Sequence, residues 1–408
     1  MWQLLFWVSL ALLVYVYVGY PLVLAALGRL RARARPAPEG PLPSLCLIIS
    51  AHDEEAVIRE KIENSLRLAY DGRLSIVVAS DGSTDRTNDI AREYHDHGVE
   101  LMHWPTRRGK SAVLNDVVRA RREDVLVFTD ANALFARDAV ARLAGRFRSP
   151  SVGCVIGELK YTRDGSTVGR GENLYWRYES LVKSLESRIE SVLVANGAIF
   201  AARRTLVREL FLDVANDFQI PLDVAGGGAG VVYEPSAVAI ERSAELWEEE
   251  FGRKVRIVLR GITGFARLHR RMQALRAWQF ISHKLLRWCV GAILLVVLAS
   301  TIALAGSSPW YAAFLGLQIA CYATALAGWF VRRRKHVPRI LYVPFYFTMV
   351  NGAALVALCR FVAGGRQATW EKAASTRAVP ARGFETGGVG SMPVAMAERG
   401  GRRRLVEK

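Results

Sequence analysis

Three short segments carry acids just past apolar runs: Ser50-Ala51-His52-Asp53-Glu54-Glu55, Ser80-Asp81-Gly82-Ser83-Thr84-Asp85 and Thr129-Asp130-Ala131-Asn132. A fourth acid follows in Asn216-Asp217-Phe218. Carboxylates at the C-terminal ends of parallel strands sit where open α/β sheets bind ligands. Asp130 and Asn132 offer two short oxygen-bearing side chains, which a hard divalent cation takes together with substrate phosphates; alone, the pair also reads as a strand-ending turn. Asp81 can accept hydrogen bonds from a base or ribose while Gly82 allows a ligand close, or it can cap the next helix. Asp53 has the equivalent place on the first strand, with the same capping alternative. Lys110, in Arg107-Arg108-Gly109-Lys110-Ser111, stands where a helix should start and can face phosphate there, unless the loop is merely a solvated basic one. Asp217 is a candidate general base for an acceptor hydroxyl, although a lone Asp is more often surface decoration. Arg253 and Arg256, one helical turn apart, can face a diphosphate together or rest on lipid headgroups. Together these residues suit metal-assisted group transfer from a phosphorylated donor.

Such acids need a sheet to align them. Leu45 to Ile49, Leu74 to Ala79 and Val125 to Phe128 are short continuous apolar runs, as expected of strands buried on both faces. Helical spacing follows over Glu54–Leu66, Thr84–Tyr94 and Lys110–Arg121, with Ser83, Thr84 and Asp85 as capping candidates for the second. Strands alternating with helices predict a mainly parallel, doubly wound α/β sheet. Gly226-Gly227-Gly228-Ala229-Gly230 precedes the strand Val231-Val232-Tyr233 and no helix, so it reads as a loop and not a phosphate cradle.

Apolar residues, 51% of the 408, are unevenly spread. Trp2 to Leu30 is nearly uncharged and long enough to cross a bilayer core of about 30 Å. Three further stretches run from Leu286 to Ala305, Trp310 to Val331 and Ile340 to Val362, and the last contains Asn351-Gly352. Arg31, Arg33 and Arg35, then Arg332, Arg333, Arg334 and Lys335, place the region between them in the cytosol by the positive-inside bias. The last stretch reads as a crossing, with a re-entrant hairpin as the alternative that keeps the basic tail (Arg402, Arg403, Arg404) inside. Ala274 to Trp288 mixes Trp and Phe with Arg, His and Lys, as an interfacial helix does. The net charge of +17 fits a surface facing anionic lipid or a polyanionic donor; without a zinc-finger or helix-turn-helix pattern, nucleic acid is not an expected partner. The five cysteines are too far apart for a disulfide framework or zinc site.

In order and spacing, these motifs resemble the membrane-bound family-2 glycosyltransferases, the group of cellulose, chitin, hyaluronan and poly-N-acetylglucosamine synthases. The resemblance runs from about Ser44 to Trp288 and includes one span before the domain and several after it. It implies the GT-A nucleotide-sugar fold with flanking transmembrane helices. It implies a donor site at Ala51, Asp53, Glu55, Asp81, Lys110, Asp130, Arg253 and Arg256, and a Mg2+ or Mn2+ held by Asp130 and Asn132. Asp217 then matches the base of the family's T/E-E-D motif. Departures are Asp53 in place of the usual Asn, Asn132 in place of the second acid of D-x-D, Asn216 in place of the Glu before the base, and Arg253-Lys254-Val255-Arg256-Ile257, which lacks the Gln and Trp of Q-x-x-R-W.

The expected organisation is an anchor (1–30), a linker (31–43), a cytosolic GT-A domain (44–243), interfacial helices (244–285), membrane segments (286–363) and a flexible basic tail (364–408). The expected activity is inverting sugar transfer, from a UDP-sugar for preference, to a saccharide or lipid-linked acceptor at the inner (plasma) membrane. Membrane or export proteins are the expected partners. Single addition to a polyprenyl phosphate or glycolipid, and a non-catalytic nucleotide-sugar-binding subunit, are the alternatives.

Overall fold

The structure is a computed structural model and describes residues 1–30, 40–161, 167–189, 191–242, 246–332, 334 and 337–365. The predicted linker arginines, Arg333, Lys335 and the predicted basic tail from 366 onward lie outside these residues.

Every residue of the first strand, β1 (Leu45–Ala51), is buried. Leu45, Leu47 and Ile49 pack on one face of the sheet with Ile58, Ile62, Val140 and Leu143. Cys46 and Ile48 pack on the other with Val113, Leu114, Val117, Ile220 and Val224. Strand alternation sends successive side chains to opposite faces, so two helical layers are needed, and an uninterrupted apolar run results. The strands β2 (Leu74–Asp81), β3 (Val99–Trp104) and β4 (Val125–Asp130) continue a parallel half in the order β3-β2-β1-β4. Ala51 pairs with Ser80, and Ser50 with Asp130, so the acid-bearing ends share one edge.

The second half departs from uniform parallel pairing. After β5 (Leu134–Phe135) and β6 (Val152–Tyr161), the four-residue β7 (Phe200–Arg203) runs antiparallel to both β4 and β6. The last strand, β8 (Gly230–Glu241), is parallel to β6 and antiparallel to β5. The eight strands therefore form one mixed sheet, ordered β3-β2-β1-β4-β7-β6-β8-β5. A strand as short as β7 carries no directional signal in its residues. Two predicted helices are shorter than expected, at Ile58–Leu66 and Thr87–Arg92. Their first residues are instead tied to one another, as described below.

Among the described residues, three helices are long and apolar enough to cross a membrane: Trp2–Leu30, which contains a π-helical turn at Tyr15–Gly19, Pro309–Val331 and Arg339–Val362. The last is unbroken at Asn351, whose amide donates to Phe347 O in its own helix at 2.8 Å. The stretch predicted as a span over 286–305 differs. Ala274–Trp288 meets Val290–Leu304 at a 59° bend, and the 15 residues beyond the bend reach only about 22 Å at 1.5 Å per residue. All five cysteines are free thiols.

The sheet is joined to the long apolar helices by Trp247–Leu268. Val255, Val258, Leu259 and Ile262 recur at helical spacing and pack against Ala353, Ala354 and Ala357 of the last helix. Small residues there let the two backbones approach, and the opposite face of Trp247–Leu268 is left for its arginines. Ala353 is fully buried in this seam, so Ala353→Leu is expected to destabilise the protein by about 1–3 kcal/mol through overpacking, seen as a lowered Tm in detergent.

Candidate active site

The ends of β1 and β2 are knitted together. Asp53 adopts φ +50, and its carboxylate accepts the backbone N–H of Thr84 at 2.7 Å. Ser83 Oγ accepts from Asp53 N, Thr87 Oγ1 from Glu54 N, and Asp85 from Glu55 N, while Glu55 accepts from Arg86 N. This lattice delays both helices. It also places Ala51, Asp53 and Glu55 at the sheet edge but outside the wall of the main cleft.

Asp81 is buried at the end of β2 and accepts the N–H groups of Arg108 (2.6 Å) and Gly109 (2.8 Å). Gly82 has φ +63, and a Cβ there would lie 2.4 Å from Arg107 N. The close approach that Gly82 permits is thus made by the chain's own 106–109 loop, where the sequence suggested a ligand. Gly109 follows at φ +92 and ψ 146, a conformation reserved for glycine, and releases the chain into the helix Lys110–Ala120. Asp81 acts on the cleft through this loop, and Lys110 at its end meets Asp130 Oδ1 at 2.7 Å.

The same helix holds the segment that carries Asp217. Ser111 Oγ donates to Val214 O, and the buried Asn115 amide donates to Leu210 O and accepts from Leu210 N, at 2.8–3.1 Å. Asp217 then enters in the first turn of Asn216–Gly226, with its carbonyl accepting from Ala195 N at 2.9 Å. Gly197 lies between the two acids: a Cβ built on it would be 3.2 Å from Asp130 Oδ2 and 3.8 Å from Asp217 Oδ2. Burial pushes the Asp217 carboxyl above its ordinary range; Lys110 and Arg260 oppose that shift and Asp130 adds to it.

These groups line a cleft of about 870 Å3 that takes in Lys110, Asp130, Asn132, Asp217, Arg253 and Arg256. Six of the predicted site residues are therefore brought together, while Ala51, Asp53, Glu55 and Asp81 stand behind them. Arg253 is committed to the buried Glu250 at 2.7 Å and to Tyr161 Oη at 3.0 Å. Arg260 also lines the cleft and was missed in the sequence, although Arg253, Arg256 and Arg260 fall on one helical face. Continuing the spacing by one more turn finds it. Burial lowers the Arg260 pKa while Asp217 and Asp130 oppose the shift, and its Nε has no hydrogen-bond partner among the described residues. Lys61 is a second residue the sequence did not flag. Fully buried beneath the Asp130 turn, it donates to Thr129 Oγ1 at 3.1 Å and to Ala133 O, and burial pushes its pKa down to about 7.

No group of three or more His, Cys, Asp or Glu side chains arranged for a metal occurs among the described residues. A Mg2+-type ion needs less, since it keeps waters and substrate phosphates as ligands. Asp130 and Asn132 supply two cleft-facing oxygen donors, and the absent Gly197 side chain leaves room beside Asp130 Oδ2. The residues fit such an ion.

Residues 46–211 match the model of the glycosyl transferase family 2 domain. The chain carries a family 2 glycosyltransferase domain. Over 250 residues it is 26% identical to the probable glycosyltransferase YdaM of Bacillus subtilis, covering 56% of this chain and 60% of that protein. It is 31% identical over 163 residues to the beta-monoglucosyldiacylglycerol synthase of Synechocystis, covering 37% of this chain and 34% of that one. The chain thus spans less than two thirds of either relative. Among solved structures, the mannosyltransferase PcManGT from Pyrobaculum calidifontis, in complex with GDP-Man and Mn2+, is similar with a TM-score of 0.66 and 22% identity, covering 88% of this chain and 99% of that one. The fold of the family 2 domain is accordingly GT-A.

Asn115→Ala strands a buried N–H and C=O at Leu210 and is expected to destabilise the protein by about 1–3 kcal/mol, measurable by thermal unfolding.

Proposed function

We propose that this glycosyltransferase moves a sugar from a nucleotide-sugar donor, a UDP-sugar in our reading, to an acceptor hydroxyl with inversion at the anomeric carbon. The observation that carries the reading is the pair Asp130 and Asp217 facing one point beside Gly197. An acid that holds the donor's phosphate end and an acid that receives a proton must flank the reacting carbon, and the closeness of both carboxylates to Gly197 supports those roles for Asp130 and Asp217. The three long apolar helices support placement at the inner (plasma) membrane as a multi-pass protein with the sheet in the cytosol, serving cell-envelope or extracellular polysaccharide synthesis.

In this mechanism Asp217 accepts the acceptor's proton as its oxygen bonds to the anomeric carbon, while the bond from that carbon to the diphosphate breaks and the nucleoside diphosphate departs. The raised pKa makes Asp217 a better base than an ordinary carboxylate. Lys110, Arg256 and Arg260 offset charge on the departing diphosphate. Arg253, held by Glu250 and Tyr161, orients that face of its helix. Asp130 and Asn132 would hold the divalent cation, Mg2+ or Mn2+, which when bound supplies further neutralisation of the diphosphate. The Mn2+ bound with GDP-Man in the similar mannosyltransferase supports this assignment. Asp53, Glu55 and Asp81 position the donor site from behind, with Asp81 nearest the nucleoside end in our reading. Where Q-x-x-R-W enzymes carry Trp, Ile257 lines the cleft, which favours single or few additions over a long chain stacked on an aromatic ring.

Asp217→Asn is expected to lower sugar transfer by about 10²–10⁴-fold while donor affinity, read by isothermal titration, stays near wild type. Retained transfer in this variant would remove Asp217 from its role. The acid limb of kcat/KM should lie above the ordinary Asp value of about 3.9, because only the ionised carboxyl can take the proton and its pKa is raised. Substitution of Asp217 should abolish that limb.

A further inference from the structure

The helix Ile58–Leu66 turns two polar side chains, Lys61 and Asn64, toward the chain that leaves Asp130. One helical turn apart, they share a face. Asn64 behaves like a neighbouring strand: its amide donates to Phe135 O at 2.9 Å and its oxygen accepts from Phe135 N at 2.8 Å. The strand it pairs, β5, is two residues long and lies at the edge of the sheet. Ala136 N, one residue on, donates to Val238 O of β8 instead. Lys61 is fully buried, and its ammonium donates to Thr129 Oγ1 at 3.1 Å and to Ala133 O. Its third side faces the Phe135 ring, 3.8 Å from the centroid. A single nitrogen thus holds the residue before Asp130 and the residue after Asn132. The turn's own bond, from Ala133 N to Asp130 O, is long at 3.3 Å.

Lysine is rarely buried completely, because withdrawing its charge from water is costly. A methionine would fill the same space without that cost. What an apolar side chain cannot do is donate to two oxygens on either side of a turn. Lys61 is in ion-pair contact with no carboxylate among the described residues, and Asp130 and Glu241 act on it from farther away. Its hydrogen bonds are therefore given to a hydroxyl and a carbonyl, and both belong to residues that flank Asp130-Ala131-Asn132. That segment carries the two oxygen donors that face the cleft. A small divalent cation demands near-ideal ligand geometry, so two donors on one short turn serve it only while the turn keeps its shape.

Resting on the transferase reading above, we propose that Lys61 is a positioning residue for the divalent cation. By clamping Thr129 to Ala133 from behind the sheet edge, it fixes the separation of the Asp130 and Asn132 oxygens, and Asn64 anchors the exit of the same turn at Phe135. Lys61 touches neither the cation nor the donor. Its positive charge opposes a cation at Asp130, so its contribution lies in the hydrogen bonds and not in the field.

That opposition gives the test its sign. Mn2+ uptake by the full chain in detergent, with UDP or GDP present, is read from the electron paramagnetic resonance signal of free Mn2+. Removing a nearby positive charge should by Coulomb's law tighten Mn2+ binding, whereas loss of the clamp should weaken it. Lys61→Met is expected to weaken Mn2+ binding by about 10-fold or more, as loss of a residue that orients metal ligands does. Thr129→Val keeps the strand and the lysine but removes one of the two bonds; a fall of about threefold is expected. This second variant decides the matter if Lys61→Met does not fold. Ile62→Val, which opens a small cavity on the same helix, should lower Tm and leave Mn2+ affinity at the wild-type value. Unchanged or tighter Mn2+ binding in the folded clamp variants would overturn the proposal. So would an equal loss in Ile62→Val, which would make Lys61 one more support of the general fold. Failure of the metal-assisted transferase reading would look different: a wild-type chain that takes up no Mn2+ with either nucleotide, which would remove this proposal with it.

Discussion

A carboxylate withdrawn from water must be paired to stay ionised, and this chain places two carboxyl groups across a single glycine. Asp130 is met by Lys110, while Asp217 feels both Lys110 and Arg260. Neither cation comes from the strand or helix that carries its acid. Lys110 starts a helix that the Asp81 loop has aimed, and Arg260 arrives on a helix whose other face is packed against Ala353, Ala354 and Ala357 of the last helix. Most of the remaining structure serves to bring these four side chains to one place. The parallel half of the sheet sets Asp130, the Asn115 amide bridge sets the segment leading to Asp217, and the alanine seam of the last helix sets Arg260.

The cleft is consequently a joint product of the sheet and the long apolar helices. Trp247–Leu268 has an apolar stripe toward Ala353, Ala354 and Ala357 and a basic one toward the acids. The N-terminal helix is tied to the same assembly by polar contacts at its π-helical turn: Tyr15 Oη lies 2.7 Å from Ser282 Oγ and Trp278 Nε1 donates to Tyr15 Oη at 3.1 Å. Such turns recur at functional sites. Here it presents Tyr17 to the cleft wall while its carbonyls at Val16 and Tyr17 accept from Tyr178.

Much of this was legible in the sequence because the decisive signals are local. Val125 to Phe128 reads as a doubly buried strand, and a strand so buried leaves Asp130 at its open end. Lys110 follows a glycine that only a special backbone angle explains. Other features were not legible, for physical reasons. The direction of β7 is set by its neighbours on the sheet and not by its four residues. The roles of Asp53 and Glu55 depend on hydrogen bonds to Thr84 and Arg86, a pairing across two strands that no periodicity encodes. The 59° bend near Cys289 lies in an apolar run with no proline to announce it. Lys61 carries no signal in the local pattern of its helix, and only its burial beneath Asp130 sets it apart. Arg260 is the exception, since its helical spacing from Arg253 and Arg256 was readable.

The central claim is that Asp130 and Asp217 act on one substrate in the space that Gly197 leaves open. Gly197→Ala tests it most directly, because the added methyl would stand 3.2 Å from Asp130 Oδ2 and 3.8 Å from Asp217 Oδ2 without touching either acid's own residue. Nucleoside diphosphate release from a nucleotide sugar, by the purified chain with Mn2+, would be compared for wild type and variant at matched Tm. The account predicts a fall of at least about tenfold, or 1.4 kcal/mol of lost transition-state stabilisation. Wild-type turnover in Gly197→Ala would contradict it, since the reacting carbon would then lie somewhere other than between these two carboxylates.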